Sequence, residues 1–216
     1  MRMTNRANRR IYRLWAPVYD GVFDRWFAAP GRRRALEVLA AQPGERLLLI
    51  GIGTGADLPL LPAGVQAVGV DLSPEMLARA RSRLPLPGRA VALIQGDALA
   101  LPLRAGLFDA VVLNLILSVV PDGGACLRQA LQMLKPAGRV VIFDKFVRDG
   151  ARLSLGRRLV NRVTTLIGTD VTRRLGDILG GCACTIVHDE PSLLGGAYRI
   201  VALRPEPGRG TARAAG

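Results

Sequence analysis

Residues 46–55 have the sequence RLLLIGIGTG, the most informative pattern in the chain for predicting its fold. Its first half is a short apolar run, which predicts a buried strand. Three glycines follow at alternate positions, Gly51, Gly53 and Gly55. Glycine permits positive φ and lets a ligand approach the main chain closely. A glycine-rich turn after a buried strand is typical of nucleotide and cofactor sites, although GxGxG alone is weak evidence.

Beyond this turn, short apolar runs alternate with helical stretches. Strands are predicted at residues 66–71, 90–95, 108–113 and 139–143, with helices beginning at Pro74, capped by Ser73, and spanning 124–134. Two more runs, 184–188 and 198–203, flank a Gly-Gly turn and predict a closing antiparallel pair. This rhythm predicts an α/β fold: a doubly wound, mostly parallel sheet with helices on both faces.

Acidic side chains follow two neighbouring strands of the predicted sheet. Asp71 ends the second strand, 16 residues beyond Gly55, and Asp97 follows the third. Open α/β sheets bind ligands at the carboxyl ends of their strands. There, Asp71 is placed to accept hydrogen bonds from a ribose diol, and Asp97 to reach an adenine edge.

The amino-terminal region has the most regular helical periodicity in the chain. Apolar residues recur every three or four positions over residues 11–27, and Pro17 divides them into two predicted helices. A second apolar stripe over 159–167 has Arg157, Arg158 and Arg162 beside it. We therefore expect amphipathic lid helices within residues 1–42, an α/β domain over 43–205, and a disordered Gly/Pro/Ala-rich tail over 206–216.

The positive charge is concentrated in two short segments. The chain has 30 Lys and Arg residues against 17 Asp and Glu, a net charge of +13. Residues 1–34 contribute +7 and residues 148–174 contribute +5. A bias in composition alone would spread this excess more evenly, so the distribution indicates a face that binds an anionic partner.

Other features narrow the class of protein. The three cysteines, Cys126, Cys182 and Cys184, form no CxxC and have no ligand set around them, which predicts neither a disulfide framework nor a metal site. The first residues form no apolar leader, and the most apolar run is about half the length that spans a bilayer. We therefore expect a soluble, reduced, cytoplasmic protein.

The motif order resembles a known family over residues 8–203. The segments LLLIGIGTG, VGVDLSPEML, GDALALP, FDAVV and LKPAGRVVIFD are similar to successive motifs of class I S-adenosylmethionine-dependent methyltransferases, which have a Rossmann-like fold. Rossmann dehydrogenases fit less well, because they expect a third glycine where this chain has Ala56. In one departure from the family pattern, Leu49 stands where an acid is usual.

The resemblance implies S-adenosylmethionine as the cofactor and assigns residues to its parts. Gly51, Gly53, Thr54 and Gly55 would border the methionine part, Asp71 would bind the ribose, Leu72 and Ala98 would enclose the adenine, Asp97 would bind its amino group, and Asn114 and Leu115 would line the sulfonium side. No metal is implied.

Within this class, the opening segment RLWAPVYDGVFDRWF and the phrase VDLSPEML resemble two lipid-directed groups. These are the bacterial phosphatidylethanolamine N-methyltransferases and the ubiquinone and menaquinone C-methyltransferases. The resemblance implies a lid over the cofactor, with Tyr19 and Asp20 at the catalytic site and Tyr12 nearby. Ordinary helix packing is the alternative for both tyrosines. We expect His188, the one histidine, to be a surface or packing residue.

These observations predict methyl transfer to an amphiphile at the inner face of a membrane, with the amine of a phosphatidylethanolamine-type lipid preferred over a prenyl-quinone or another small molecule. Aromatic and arginine side chains together favour an anionic lipid surface. An RNA methyltransferase or RNA-binding protein is the alternative of another class, but a continuous apolar stripe disfavours nucleic acid as the partner. A third interpretation is that both stripes pack on the core. The oligomeric state is left open.

Overall fold

The computed structural model describes residues 27–147 and 170–206. Apart from Phe27, the helices predicted over 11–27 lie outside the described residues, as do the stripe at 159–167 and nearly all of the predicted tail. Among the described residues, no helix has the length and apolarity to cross a membrane.

The described residues contain seven strands, which form one sheet. They are β1 (Arg46–Ile50), β2 (Gln66–Asp71), β3 (Ala90–Gln95), β4 (Phe108–Asn114), β5 (Leu134–Lys145), β6 (Cys184–Pro191) and β7 (Tyr198–Pro205). Their order across the sheet is β3-β2-β1-β4-β5-β7-β6, and β7 runs antiparallel to both of its neighbours. The sequence order reverses direction at β1 and β4, and an open sheet has its ligand crevice at such a point.

In the part of the chain that the structure describes, four α-helices cover the sheet: α1 (Ala29–Leu39), α2 (Pro74–Arg81), α3 (Gly123–Met133) and α4 (Leu175–Leu179). Local sequence sets where two of them begin. The Ser73 side chain accepts a hydrogen bond from the Met76 N–H at 3.2 Å, and Asp122 accepts one from the Ala125 N–H at 2.9 Å. These caps satisfy backbone donors that the first helical turn leaves free.

Alternate residues of the strands point to opposite faces and build two cores. On one face, Leu48 and Leu113 lie in a cluster with α3 and α4. On the other, Leu49 and Phe143 lie in a cluster with α1 and α2. Both sides of the central strands are therefore buried, as the doubly wound arrangement requires.

The sequence-based prediction of this fold is confirmed, with differences in extent. β4, β6 and β7 end at Asn114, Pro191 and Pro205 rather than at residues 113, 188 and 203. β2 and β3 have the predicted bounds, but β5 begins at Leu134, five residues before the predicted start. Leu134 pairs with Phe108, and an irregularity in register then separates this pair from that of Arg139 with Ala110. The pattern LKPAG predicts only a helix stop, because its proline and glycine disfavour a strand.

Candidate functional site

The glycine-rich loop lies at the carboxyl end of β1. Gly51, Gly53 and Gly55 all have positive φ, at 70°, 57° and 78°. Residues with a Cβ adopt this conformation with strain, so the glycines are needed for the shape of the loop. The Gly51 N–H donates to the carbonyl of Val70 at 2.8 Å, which connects the loop to β2.

The Asp71 carboxylate holds this loop in place. One oxygen accepts a hydrogen bond from the Gly53 N–H at 2.8 Å, and the other accepts one from the Ser73 N–H at 2.9 Å. Burial raises the pKa of Asp71, while these two donors act in the opposite direction. The residue predicted to bind a ribose therefore also shapes the loop beside it.

The other residues predicted to contact the adenine lie just beyond the carboxyl ends of β2 and β3. The Gly96 N–H donates to the carbonyl of Asp71 at 3.0 Å, which brings the end of β3 against that of β2. The Asp97 carboxylate accepts a hydrogen bond from the Leu99 N–H at 2.9 Å, and the intervening Ala98 is buried. Leu72 is partly exposed, and its carbonyl accepts a hydrogen bond from the Gln95 amide at 3.3 Å.

A buried charged network on the β4 side of the loop was not predicted from the sequence. Arg32 on α1 donates from Nη1 to both carboxylate oxygens of Asp57, at 3.1 and 3.0 Å. Asn114, the last residue of β4, donates from Nδ2 to Asp57 Oδ1 at 3.0 Å. The side chains of Arg32 and Asp57 are only 9% and 4% exposed. In the sequence, Arg32 belongs to a basic run and Asp57 stands two residues after GTG, so neither attracts notice.

Two polar atoms beside the loop suit a bound cofactor. Among the described residues, Thr54 Oγ1 and Asn114 Oδ1 are buried and have no hydrogen-bond partner. Buried polar groups are almost always satisfied, so such atoms indicate that a ligand completes them. A Cβ built on Gly53 meets nothing within 4 Å, which leaves open space next to the loop. The residues at this edge therefore fit the predicted cofactor.

Leu115, the other residue predicted on this side, follows β4 in a left-handed conformation. Its φ is +59°, which is unusual for a residue with a branched side chain. Its N–H donates to the carbonyl of Phe143 at 2.7 Å, and its side chain is buried. Such backbone conformations cluster at functional sites.

A second titratable group lies at the carboxyl end of β5 and was also missed. The Lys145 ammonium stands 5.9 Å from the centre of the Tyr198 ring, with which it is in register. Burial lowers the pKa of Lys145 and raises that of Tyr198 to about 12. The neighbouring Asp144 is fully buried and accepts a hydrogen bond from the Ser118 N–H at 2.9 Å.

Both basic segments join the described fold near this strand end. Phe27 packs edge-on against Tyr198, with 5.7 Å between ring centres. The Val147 N–H donates to the carbonyl of Arg173 at 2.8 Å, and the Asp170 N–H donates to that of Ser118 at the same distance. Tyr12, Tyr19 and Asp20 lie outside the described residues, so their catalytic roles stay predictions.

The cysteines and the histidine contribute no evident chemistry. All three cysteines are free, and burial raises the pKa of Cys126 to about 12 and that of Cys184 to about 11. Low-pKa thiols are the reactive ones, so these are poor nucleophiles. His188 lies 3.0 Å from Glu190 on β6. Within residues 27–147 and 170–206, no group of His, Cys, Asp and Glu is arranged to hold a metal ion.

Comparison with known proteins agrees with this geometry. The family described as "Methyltransferase domain" matches residues 48–142. The phosphatidylethanolamine N-methyltransferase of Cereibacter sphaeroides is 32% identical over 197 residues, covering 90% of this chain and 96% of that protein. A demethylmenaquinone methyltransferase of Beutenbergia cavernae is 38% identical over 114 residues, covering 52% of this chain and 46% of that protein.

The fold also matches solved structures. One is the magnesium protoporphyrin IX methyltransferase of Synechocystis PCC 6803 with bound S-adenosylhomocysteine, at a TM-score of 0.64 and 19% identity, covering 91% of this chain and 94% of that one. The strand order, the loop and the nearly full-length relative lead to one conclusion. This chain belongs to the class I S-adenosylmethionine-dependent methyltransferases, and S-adenosylmethionine is its methyl donor.

Proposed function

We propose that the protein methylates the amine of a phosphatidylethanolamine-type lipid at an anionic membrane surface. The main support for this proposal is the position at which the two basic segments meet the described fold. Phe27 contacts Tyr198, and Asp170 is hydrogen-bonded to Ser118 in the segment after β4. The two segments that hold nearly all the net charge therefore meet the described fold beside the strand ends where an acceptor would approach the cofactor.

The similar proteins support a lipid acceptor and favour one of two candidate acceptors over the other. The similarity to the phosphatidylethanolamine enzyme extends over 90% of this chain. The similarities to demethylmenaquinone enzymes cover 52–75% of this chain. We therefore place the amine lipid first and the ring carbon of a prenyl-quinone second.

The chain's own part in the reaction is to bind, align and exclude water. The bound cofactor supplies a methyl group already activated by its sulfonium charge. The glycine loop and Asp71 form one side of the site, and the Asp71 carboxylate accepts a hydrogen bond from the Gly53 N–H of the loop. Alignment of a nucleophile with an activated carbon accounts for a large part of such catalysis.

On the acceptor side of the site, we propose that the Lys145 ammonium binds the phosphate of the lipid headgroup. This residue is partly buried, and burial lowers the pKa of its ammonium. An anionic group within contact distance would favour the charged form again, so headgroup binding and ammonium charge support each other. The acceptor amine must be neutral to attack, so it loses its proton to water or to a nearby base before transfer.

The test is methyl transfer from labelled S-adenosylmethionine to a total bacterial lipid extract, with chromatography of the products. A parallel reaction contains a demethylated menaquinone. The proposal predicts label in mono- and dimethylated amine lipids. Label in the quinone without any in amine lipids favours the second candidate, and label in neither contradicts both.

A further inference from the structure

The connection between β6 and β7 is short, uncharged and apolar at its end. Residues 192–197 have the sequence SLLGGA, and we call this segment the hairpin tip. Leu194 has the most exposed large apolar side chain among the described residues, with 68% of its surface open to solvent. Single exposed leucines are common on protein surfaces, so the backbone and the position of this one decide what it means.

Leu194 has a strained backbone conformation within a hydrogen-bonded turn. Its φ is +52°, which is costly for a residue with a branched side chain. The N–H groups of Gly196 and Tyr198 donate to the carbonyl of Leu193, and the Ala197 N–H donates to that of Leu194, each at 3.2 Å. Because these backbone groups are paired within the turn, moving the hairpin tip out of water costs less than it would for an open loop.

The hairpin tip lies at the edge of the sheet that carries the cofactor site. Tyr198, at the start of β7, is in register with Lys145 at the carboxyl end of β5. Arg199 is in register with Pro191 at the end of β6. The connection from β6 to β7 is therefore on the same side as the carboxyl ends of the parallel strands. The two basic segments meet the described fold at this same edge.

An apolar tip beside positive charge suits an anionic bilayer. Directly behind the tip, Phe27 packs on the ring of Tyr198, and the Lys145 ammonium lies 5.9 Å from the centre of that ring. Aliphatic side chains favour the acyl layer of a membrane, aromatic rings its interface, and basic groups its phosphates. An apolar protein partner would account for the leucine alone, whereas an anionic bilayer also accounts for the charge beside it.

We propose that the hairpin tip inserts Leu194 into the apolar layer of an anionic membrane, so that the carboxyl edge of the sheet faces the lipid. This inference rests on the membrane action proposed above, and it adds the segment that enters the bilayer and the side of the fold that faces it. Electrostatic attraction brings the protein to the surface. Burial of one leucine side chain then strengthens the partition constant by on the order of tenfold.

The first experiment measures binding to vesicles of phosphatidylethanolamine and phosphatidylglycerol at low and high salt. Leu194→Asn removes the apolar side chain, and it should fold because asparagine tolerates positive φ. Ile186→Ser is the matched control, because Ile186 is also exposed but lies nearer the other end of β6. Both variants should keep their affinity for S-adenosylhomocysteine, which reports on the fold.

Leu194→Asn should bind vesicles about tenfold more weakly than the wild type, and Ile186→Ser should bind them within about twofold. The loss in Leu194→Asn should be similar at both salt concentrations, since salt screens charge attraction and not apolar burial.

The second experiment locates the tip with tryptophan fluorescence. Leu194→Trp and Ile186→Trp are compared after subtraction of the wild-type signal from Trp15 and Trp26. Lipids brominated on their acyl chains should quench the added fluorescence of Leu194→Trp and leave that of Ile186→Trp unchanged.

The outcomes separate this inference from the proposed function. Equal vesicle binding by the wild type and Leu194→Asn, or no quenching in Leu194→Trp, would overturn insertion of the tip. Methyl transfer by the wild type to the amine lipid of the same vesicles tests the proposed reaction by itself, whether or not the tip inserts. Self-association of the wild type without lipid that is lost in Leu194→Asn would assign the tip to a second copy of the chain, and would also overturn the proposal.

Discussion

At the scale of single residues, a few side chains at strand ends carry more than one interaction. Asp71 holds the backbone of both Gly53 and Ser73 while remaining partly exposed at the cofactor edge. Burial raises its pKa, so its ionised form depends on those two N–H donors. Removing its charge therefore changes the loop as well as the contact to the cofactor.

For Asp71 we predict a loss of cofactor affinity that exceeds the loss of stability. Asp71→Asn keeps the shape of the side chain but removes the carboxylate charge, which would strengthen the hydrogen bonds donated by the ribose diol. Affinity for S-adenosylhomocysteine should fall by about 1.5–3 kcal/mol. Calorimetry checks this, with Asp189→Asn, in the exposed ion pair with Arg199, as the control. Unchanged affinity in Asp71→Asn would refute the assignment.

We expect the stability of the protein to depend on pH through Lys145. Burial lowers its pKa below the usual 10.5 in the folded state, so the unfolded chain binds more protons between the two values. The free energy of unfolding is therefore highest above the unfolded-state pKa of Lys145, and it decreases as the pH falls through the folded-state pKa. Relative to Lys145→Met, the wild type should become more stable as the pH rises from 8 toward 10.5. Urea unfolding at several pH values measures the difference in free energy of unfolding between the two proteins. A difference that stays the same at all pH values would contradict the prediction.

At the scale of elements, α1 is positioned by close packing on the sheet. Gly31 lies so near the ring of Phe143 that a Cβ there would be 2.2 Å from the closest ring atom. Phe143 is fully buried on β5 and has no room to withdraw. Because α1 also carries Arg32, this contact helps to place the charged network behind Asn114.

Gly31→Ala should therefore destabilise the protein. Alanine is the better helix former by about 1 kcal/mol, but overpacking a filled core costs about 1–3 kcal/mol and should dominate. Gly124→Ala on α3 is the matched control, because its nearest contact is the flexible end of Arg128 at 3.3 Å. Thermal unfolding should show a lower Tm for Gly31→Ala and no decrease for Gly124→Ala. An increase for Gly31→Ala would contradict this packing.

The elements also show what sequence patterns can and cannot predict. Apolar runs and the Ser73 cap predict the strands and α2 well, because both depend on neighbours in the chain. The network of Arg32, Asp57 and Asn114 joins residues 25 and 57 positions apart, so no local pattern indicates it. Lys145 is similar, since its altered pKa arises from burial at the completed strand end.

At the scale of the whole molecule, charge is the most distinctive property. Residues 35–147 hold ten bases and nine acids, whereas residues 1–34 and 148–174 together carry +12. Both charged segments join the fold on the Tyr198 side of the cofactor edge. An attraction of about 1 kcal/mol for each base near an anionic leaflet would be enough for reversible adsorption.

We therefore predict binding to anionic vesicles that weakens as salt increases. Sedimentation should recover more protein with vesicles of anionic lipid than with zwitterionic vesicles at low ionic strength, because salt screens this attraction. Equal recovery with both kinds of vesicle would contradict a charged membrane face. A parallel titration with RNA examines the alternative class, since tighter binding to RNA than to vesicles would favour it.

The proposed reaction is methyl transfer to an amine lipid at a charged surface. It is tested by the rate of label transfer from S-adenosylmethionine to a fixed amount of phosphatidylethanolamine in vesicles of increasing anionic content. We expect methylated amine lipid, formed faster as the anionic content rises and more slowly at high salt. A protein that binds S-adenosylhomocysteine yet forms no methylated amine lipid at any vesicle composition would contradict it.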